Sequence, residues 1–327
     1  MTQFPAVRSP SVRPPTARRA SLLRRLTLSA GLLAGVTLLG ACNETRAEQA
    51  DARAYPPPGR LVDVGGFRLH LECAGSGAPT VVIDAGLGAW STPWHAVQGL
   101  VAGTTRVCTY DRAGLGYSEP GPLPRDAAHF AAELHTLLHR AALPGPYVLA
   151  GHSLGGLTMR VYAQRYPQDV AGLALLESMS PQPGAAAPTA ASDTPGLPLL
   201  KLAARLGLVR LLSGPLGLSA GLPARDAGPA TALAVTDRYF QTLSDETAGI
   251  PASLAQAGEV TTLGDLPLTV LSRGRNAVPA WTAGQARLLT LSSRTTQVTA
   301  HHSGHNVELD EPQAAADAIV ALVRQLR

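Results

Sequence analysis

Apolar and polar positions along this chain follow two periods in turn. Leu61–Val64 and Phe67–Cys73 flank Gly65-Gly66, the pattern of two strands joined by a tight hairpin turn. Thr80–Ala85 is a short apolar run that predicts a buried strand, followed by Gly86-Leu87-Gly88. Arg106–Tyr110 predicts the next strand. From Asp126 to Ala142 the period changes, and Phe130, Leu134, Leu137, Leu138 and Ala141 fall on one helical face. Pro146–Ala150 reads as a strand, Leu154–Tyr166 as an amphipathic helix, and Gly172–Leu176, Pro267–Ser272 and Thr295–Thr299 as further strands. Asp310-Glu311-Pro312-Gln313 predicts a helix start with Asp310 as N-cap, and Ala315, Ile319, Leu322, Val323 and Leu326 follow at helical spacing. Strands that alternate with helices after an initial hairpin give an α/β class, with a mostly parallel sheet and helices on both faces.

The texture changes between Ser180 and Gly264. Proline, glycine and alanine cluster over Pro181–Pro198, and apolar helical runs follow over Leu199–Leu212 and about Ala230–Ser244. These runs are too apolar to stand alone in water. They predict a helical cap inserted at about 180–264.

The first 25 residues hold six arginines and no acid, and an uncharged run of 16 residues, Leu26 to Ala41, ends at Cys42. A positive start, an apolar middle and small residues at the cut mark a secretory signal peptide. The run is shorter than the ~20 apolar residues of a membrane span. Leu39-Gly40-Ala41-Cys42 resembles a bacterial lipobox, which implies lipid attachment to Cys42 as the first mature residue. The alternatives are an ordinary signal peptide or an uncleaved anchor with an incidental cysteine. The expected segments are therefore a leader at 1–42, a flexible tether at 43–59 with Pro56-Pro57-Pro58, and one domain at 60–327. The expected location is the cell envelope, lipid-anchored on the non-cytoplasmic side, or else a secreted form.

The leader also accounts for the basic balance. Without its six arginines, 21 basic residues face 23 acidic ones. No basic patch with interleaved aromatics occurs in the mature part, so no nucleic-acid partner is expected.

Gly151-His152-Ser153-Leu154-Gly155 lies between a predicted strand and a predicted helix. A Gly-x-Ser-x-Gly in that context is a nucleophile elbow, which exposes the serine hydroxyl on a sharp turn. The free N–H groups of the following helix point at the same spot. Such a serine needs a base, and His305 lies in Ser303-Gly304-His305-Asn306 between the last strand and the last helix. His301 and His302 compete, but they adjoin the strand. His135 and His139 stand one helical turn apart without the glutamate of an H-E-x-x-H pair, so a solvated helix face and no metal are expected. Trp90 and Trp94 follow the glycine-rich loop, and pocket lining and core packing are equal readings for them.

Asp84-Ala-Gly-Leu-Gly-Ala-Trp90, Tyr110-Asp-Arg-Ala-Gly-Leu-Gly-Tyr-Ser118, Gly151-His-Ser-Leu-Gly-Gly156 and Ser303-Gly-His-Asn306 together resemble the α/β-hydrolase superfamily, over about residues 60–180 and 265–327. The resemblance implies an α/β-hydrolase fold with an eight-stranded sheet and a serine hydrolase of esterase or lipase type. It implies oxyanion donors at the N–H groups of Leu87 and Leu154 and a structural role for Asp111 and Arg112. Such folds usually carry the triad acid after the strand that ends here near Ser272, yet no carboxylate occurs from Leu266 to Val307. Glu177, at the end of the preceding strand, is the expected acid, and Asp265 lies at the wrong end of its strand. Cys73 and Cys108 fall on neighbouring strands of such a sheet, so a disulfide is expected, with two buried thiols as the alternative. The expected function is hydrolysis of a small, apolar carboxylic ester through an acyl-serine, without a cofactor. An acyltransferase on the same residues and a non-catalytic binding lipoprotein are the alternatives. Aspartate-nucleophile chemistry does not fit a serine at position 153.

Overall fold

The computed structural model describes residues 15–181 and 196–327. The start of the expected leader and most of the Pro181–Pro198 cluster lie outside the described residues. One sheet holds eight strands: β1 (Arg60–Asp63), β2 (Arg68–Ala74), β3 (Thr80–Asp84), β4 (Val107–Tyr110), β5 (Tyr147–His152), β6 (Val170–Leu176), β7 (Leu268–Arg273) and β8 (Thr295–Ala300). Their order is β1-β2-β4-β3-β5-β6-β7-β8. The β1–β2 and β2–β4 pairs are antiparallel and the rest parallel. Every residue of β3, β4 and β5 is buried, which is why these strands read as continuous apolar runs.

Helices α2 (His95–Ala102) and α11 (Pro312–Gln325) cover one face, with Val97, Val101, Ile319 and Leu322 against Val81 and Ile83. Helices α3 (Ala127–Arg140) and α4 (Leu154–Arg165) cover the other, with Leu134, Leu137 and Leu157 against Leu149 and Leu173. Cys73 and Cys108 lie opposite one another across β2 and β4 and are joined by a disulfide. Tying residues 35 apart in sequence limits the unfolded chain and stabilises the fold by on the order of 3–4 kcal/mol.

Between β6 and β7 stand α5 (Leu197–Arg205), α6 (Leu208–Leu216), α7 (Ala224–Ala234) and α8 (Asp237–Gly258). The run expected as one helix over Leu199–Leu212 breaks at Gly207, whose φ of +77° suits only glycine without cost. The second expected run is also two helices, and Thr236 caps α8 by accepting from the Tyr239 N–H. Helix α8 outruns the expected boundary at Ser244 because its second half docks on the body. There the Ala127 N–H donates to Ser253 Oγ at 2.9 Å and Arg160 donates to the Ala257 carbonyl at 2.5 Å.

Two expectations are corrected. The segment expected as a flexible tether at 43–59 is helical as far as Ala54, the end of α1 (Pro15–Ala54). Residues 43–54 are rich in Ala, Glu, Gln and Arg and free of glycine and proline, so helix is the local preference until Pro56. Arg210 of α6 binds this helix, donating to Glu44 at 2.7 Å and to Asp51 at 2.6 Å. Asp310 does not cap the last helix. It ends the short α10 (Val307–Asp310) and accepts from the Gly304 N–H at 2.8 Å, while Glu311 takes the N-cap position. Among the described residues no helix is long and apolar enough to cross a membrane. Helices α2 and α9 (Pro279–Leu288) had no counterpart in the sequence reading.

Candidate active site

Chain order reverses between β3 and β5. The loops leaving these neighbouring strands diverge and open a crevice at their carboxyl ends. Ser153 stands there, at the turn from β5 into α4, with φ +50° and ψ −114°. A non-glycine residue held at positive φ is strained, and such strain persists only where the surroundings enforce it. Here the enforcement is close packing. A Cβ on Gly155 would collide with the carbonyl oxygens of Asp84 and Ala85, and one on Gly156 with the Ser178 hydroxyl. The end of β6 fixes the turn, because the Ser153 N–H donates to the Leu176 carbonyl at 3.3 Å and the Met179 N–H to the Ser153 carbonyl at 3.0 Å.

His305 comes from the loop between β8 and α10. Its Nε2 lies 3.0 Å from Ser153 Oγ and its Nδ1 lies 3.2 Å from Glu177 Oε2. With Nδ1–H donating to Glu177, Nε2 is free to accept the serine proton. Glu177 is fully buried just past β6, at φ +48°. Its other oxygen accepts the Arg273 N–H at 2.8 Å, and the Arg273 guanidinium stands 3.4 Å from Oε2. The structure thus brings Ser153, His305 and Glu177 together. It leaves His301 and His302 exposed on the rim and Asp265 exposed ahead of β7.

The loop after β3 carries Leu87. Its neighbours are pinned by the buried Arg112, which donates to Asp84 at 2.7 Å, to the Ala85 carbonyl at 2.7 Å and to the Gly86 carbonyl at 2.6 Å. Glu246 of α8 completes the clamp, accepting from Arg112 Nε at 2.7 Å and from the Gly88 N–H at 2.9 Å. Burial opposes the charge of Arg112, but Glu246 and Asp84 hold its pKa above the ordinary arginine value. Helix α8 therefore fixes the loop by a buried ion cluster. Leu154 is the first residue of α4, so its N–H has no partner within the helix. Among the described residues neither the Leu87 nor the Leu154 N–H is engaged. Asp111 is structural as well, accepting from the Ser91 N–H at 2.8 Å and the Tyr117 N–H at 2.9 Å.

The sequence reading missed Trp281. Helix α9 sets its ring edge-on to His305 with centroids 5.1 Å apart, and Arg273 lies over the same indole. Pro279 at the first turn of α9 was the available signal. Trp94 is core, beneath His152, and Trp90 packs edge-on against Tyr239 of α8.

The family model described as alpha/beta hydrolase fold matches residues 79–198. The enol-lactonase of Burkholderia xenovorans LB400 superposes with a TM-score of 0.62 at 21% identity, over 81% of this chain and all of that one. The chain has the α/β-hydrolase fold. Among curated relatives, the uncharacterized protein YqjL of Bacillus subtilis is 25% identical over 263 residues, covering 78% of this chain and 88% of that one. The probable transporter efuK of Hormonema carpetanum is 32% identical over 126 residues, 36% of this chain. The chain spans only 18% of efuK's length. Within the α/β-hydrolase fold the turn at Ser153 and the histidine loop fall at the sheet-edge crevice, and α5–α8 stand between β6 and β7.

Beneath His305 lies a buried pair. His152 donates from Nε2 to the His305 carbonyl at 2.8 Å and has Glu308 Oε2 3.9 Å away. Burial, with His305 beside it, pushes the His152 imidazole down to about 4. Burial pushes the Glu308 carboxyl up to about 7. An unfolded glutamate loses its proton near pH 4.5, so between that pH and about 7 the folded chain binds the extra proton. This group's contribution to stability therefore falls as pH rises through that window. Glu308→Gln is expected to raise Tm at pH 8.5 and to change it little at pH 4.5, measured by calorimetry. An equal effect at both pH values would contradict the assignment.

Proposed function

We propose that this protein is a serine hydrolase that cleaves a small, apolar carboxylic ester through an acyl-serine intermediate. The observation that carries this reading is the continuous contact from Ser153 Oγ through His305 to Glu177, at 3.0 and 3.2 Å. In this mechanism His305 Nε2 takes the Ser153 proton as Oγ attacks the ester carbonyl. The carbonyl oxygen becomes an oxyanion, held by the Leu87 and Leu154 N–H groups. Each backbone donor in such a site contributes about 3–4 kcal/mol in the transition state. The His305 imidazolium then gives its proton to the departing alkoxide, and the acyl group stays on Ser153. Water enters, His305 removes its proton, and the same steps in reverse release the acid. Glu177 accepts from Nδ1–H, fixes that tautomer and stabilises the imidazolium. Trp281 stands edge-on to His305, and Leu243 packs against Gly88 in the loop that carries Leu87, apolar neighbours that suit an apolar acyl or alcohol part.

The mature chain, in this reading, is held at the non-cytoplasmic face of a membrane by lipid on Cys42. Cys42 is exposed. It lies two residues before Glu44, which Arg210 binds, and Leu208, Leu211 and Leu212 of the same cap helix are exposed. That surface is suited to lie against lipid. An alkyne-labelled fatty acid fed to cells is expected to mark the native protein and not Cys42→Ser. Equal marking of both would remove the anchor.

The chemical proposal is tested with p-nitrophenyl esters of increasing chain length and a fluorophosphonate probe. Ser153→Ala is expected to abolish covalent labelling and to lower kcat by at least about 10³-fold. Glu177→Gln is expected to lower kcat by about 10⁴-fold. Near-normal turnover in Glu177→Gln would reassign the acid, and labelling that persists in Ser153→Ala would overturn the nucleophile.

A further inference from the structure

The opposite end of the sheet holds a second cluster of side chains that the ester chemistry does not use. His135 and His139 are one turn apart on α3. Both direct Nε2 at the same oxygen, Asp169 Oδ2, at 3.4 and 3.5 Å. Asp169 sits in the Pro167–Asp169 turn that feeds β6. We propose that His135, His139 and Asp169 bind a divalent cation of the zinc class.

The distances favour coordination over hydrogen bonding. An N–H···O bond seldom exceeds 3.2 Å, and neither imidazole makes a side-chain hydrogen bond to Asp169 by that measure. A tetrahedral zinc site with bonds of 2.0–2.1 Å instead sets its ligand atoms about 3.3–3.4 Å apart. Two edges of that tetrahedron are in place. The third, between the two imidazole nitrogens, is at most 4.8 Å and closes by rotation of the exposed His139 ring. The fourth vertex opens to solvent and would take water.

The surroundings hold these ligands as outer groups hold metal ligands. The Tyr162 hydroxyl faces Asp169 Oδ2 from 3.3 Å, too long for a strong hydrogen bond. The His135 ring stacks on Tyr166, with centroids 3.9 Å apart and planes 16° from parallel. Among the described residues, the ion-pair partners of Asp169 are these two histidines, with no lysine or arginine. Two imidazoles and one carboxylate suit zinc and disfavour magnesium, which prefers an oxygen shell. The H-x-x-x-H spacing lacked a carboxylate in sequence, and the fold supplies one from the turn after α4. Strand β6 separates this site from Glu177, so the ion would clamp α3 to the start of β6 and take no part in the reaction.

The test uses tag-free full-length protein freed of metal with a chelator. Its thermal midpoint is read without metal, with Zn²⁺ and with Mg²⁺, for the native chain and for His139→Gln and Asp169→Asn. At a hundredfold excess over its dissociation constant, Zn²⁺ is expected to raise the native Tm by about 5 °C. Mg²⁺ is expected to give no rise, and each variant is expected to lose the Zn²⁺ rise. His139 is 57% exposed, so His139→Gln retains its metal-free midpoint and reads binding alone. No rise in the native protein, or a full rise in either variant, would overturn the site.

Discussion

The backbone turn at Ser153 is the constraint on which the rest of the site depends. Its positive φ is unfavourable for a serine, and the structure retains it because β5, β6 and the loop after β3 converge there without room for a Cβ at Gly155 or Gly156. The same turn sets three things together. It lifts Oγ toward His305, aims the first N–H of α4 at the crevice, and brings the elbow against the loop that carries Leu87. Glu177 is also held at positive φ, one strand away. Two strained residues therefore flank the histidine, each just past the buried end of a central strand.

Glu246 reaches from α8 to Arg112 and to the Gly88 N–H, so α8 and the loop beside Ser153 share one buried ion cluster. Removing one member would leave buried charge unpaired, which costs several kcal/mol. The position of the Leu87 loop thus rests on a residue well over a hundred positions away in sequence. The second half of α8 ties the same helix to α3 and α4.

Much of this architecture was legible in the chain. The hairpin, the buried strands and the α3 and α11 faces carry clear periods, and a glycine-rich turn between strand and helix marks Ser153 without reference to distant residues. The meeting of His305 with Ser153 was legible from its place in a loop between the last strand and the last helix, and that of His305 with Glu177 from the lack of any carboxylate between Leu266 and Val307. What sequence did not reveal depends on pairings between remote segments. Arg210 holds the helical segment after Cys42, which proline content had suggested was a tether. Asp310 serves the Gly304 loop and not the helix it precedes. Trp281 reaches His305 only because the short α9 packs beside β7, and Asp169 meets His135 only through the turn after α4.

The central claim is a covalent acyl group on Ser153 during turnover. Mixing the protein with excess p-nitrophenyl ester, quenching in acid within milliseconds and mapping peptides by mass spectrometry tests it directly. The account predicts the acyl mass on the peptide containing Ser153, with a burst of nitrophenol of up to one equivalent. Steady turnover with no adduct, or an adduct on another side chain, would contradict it.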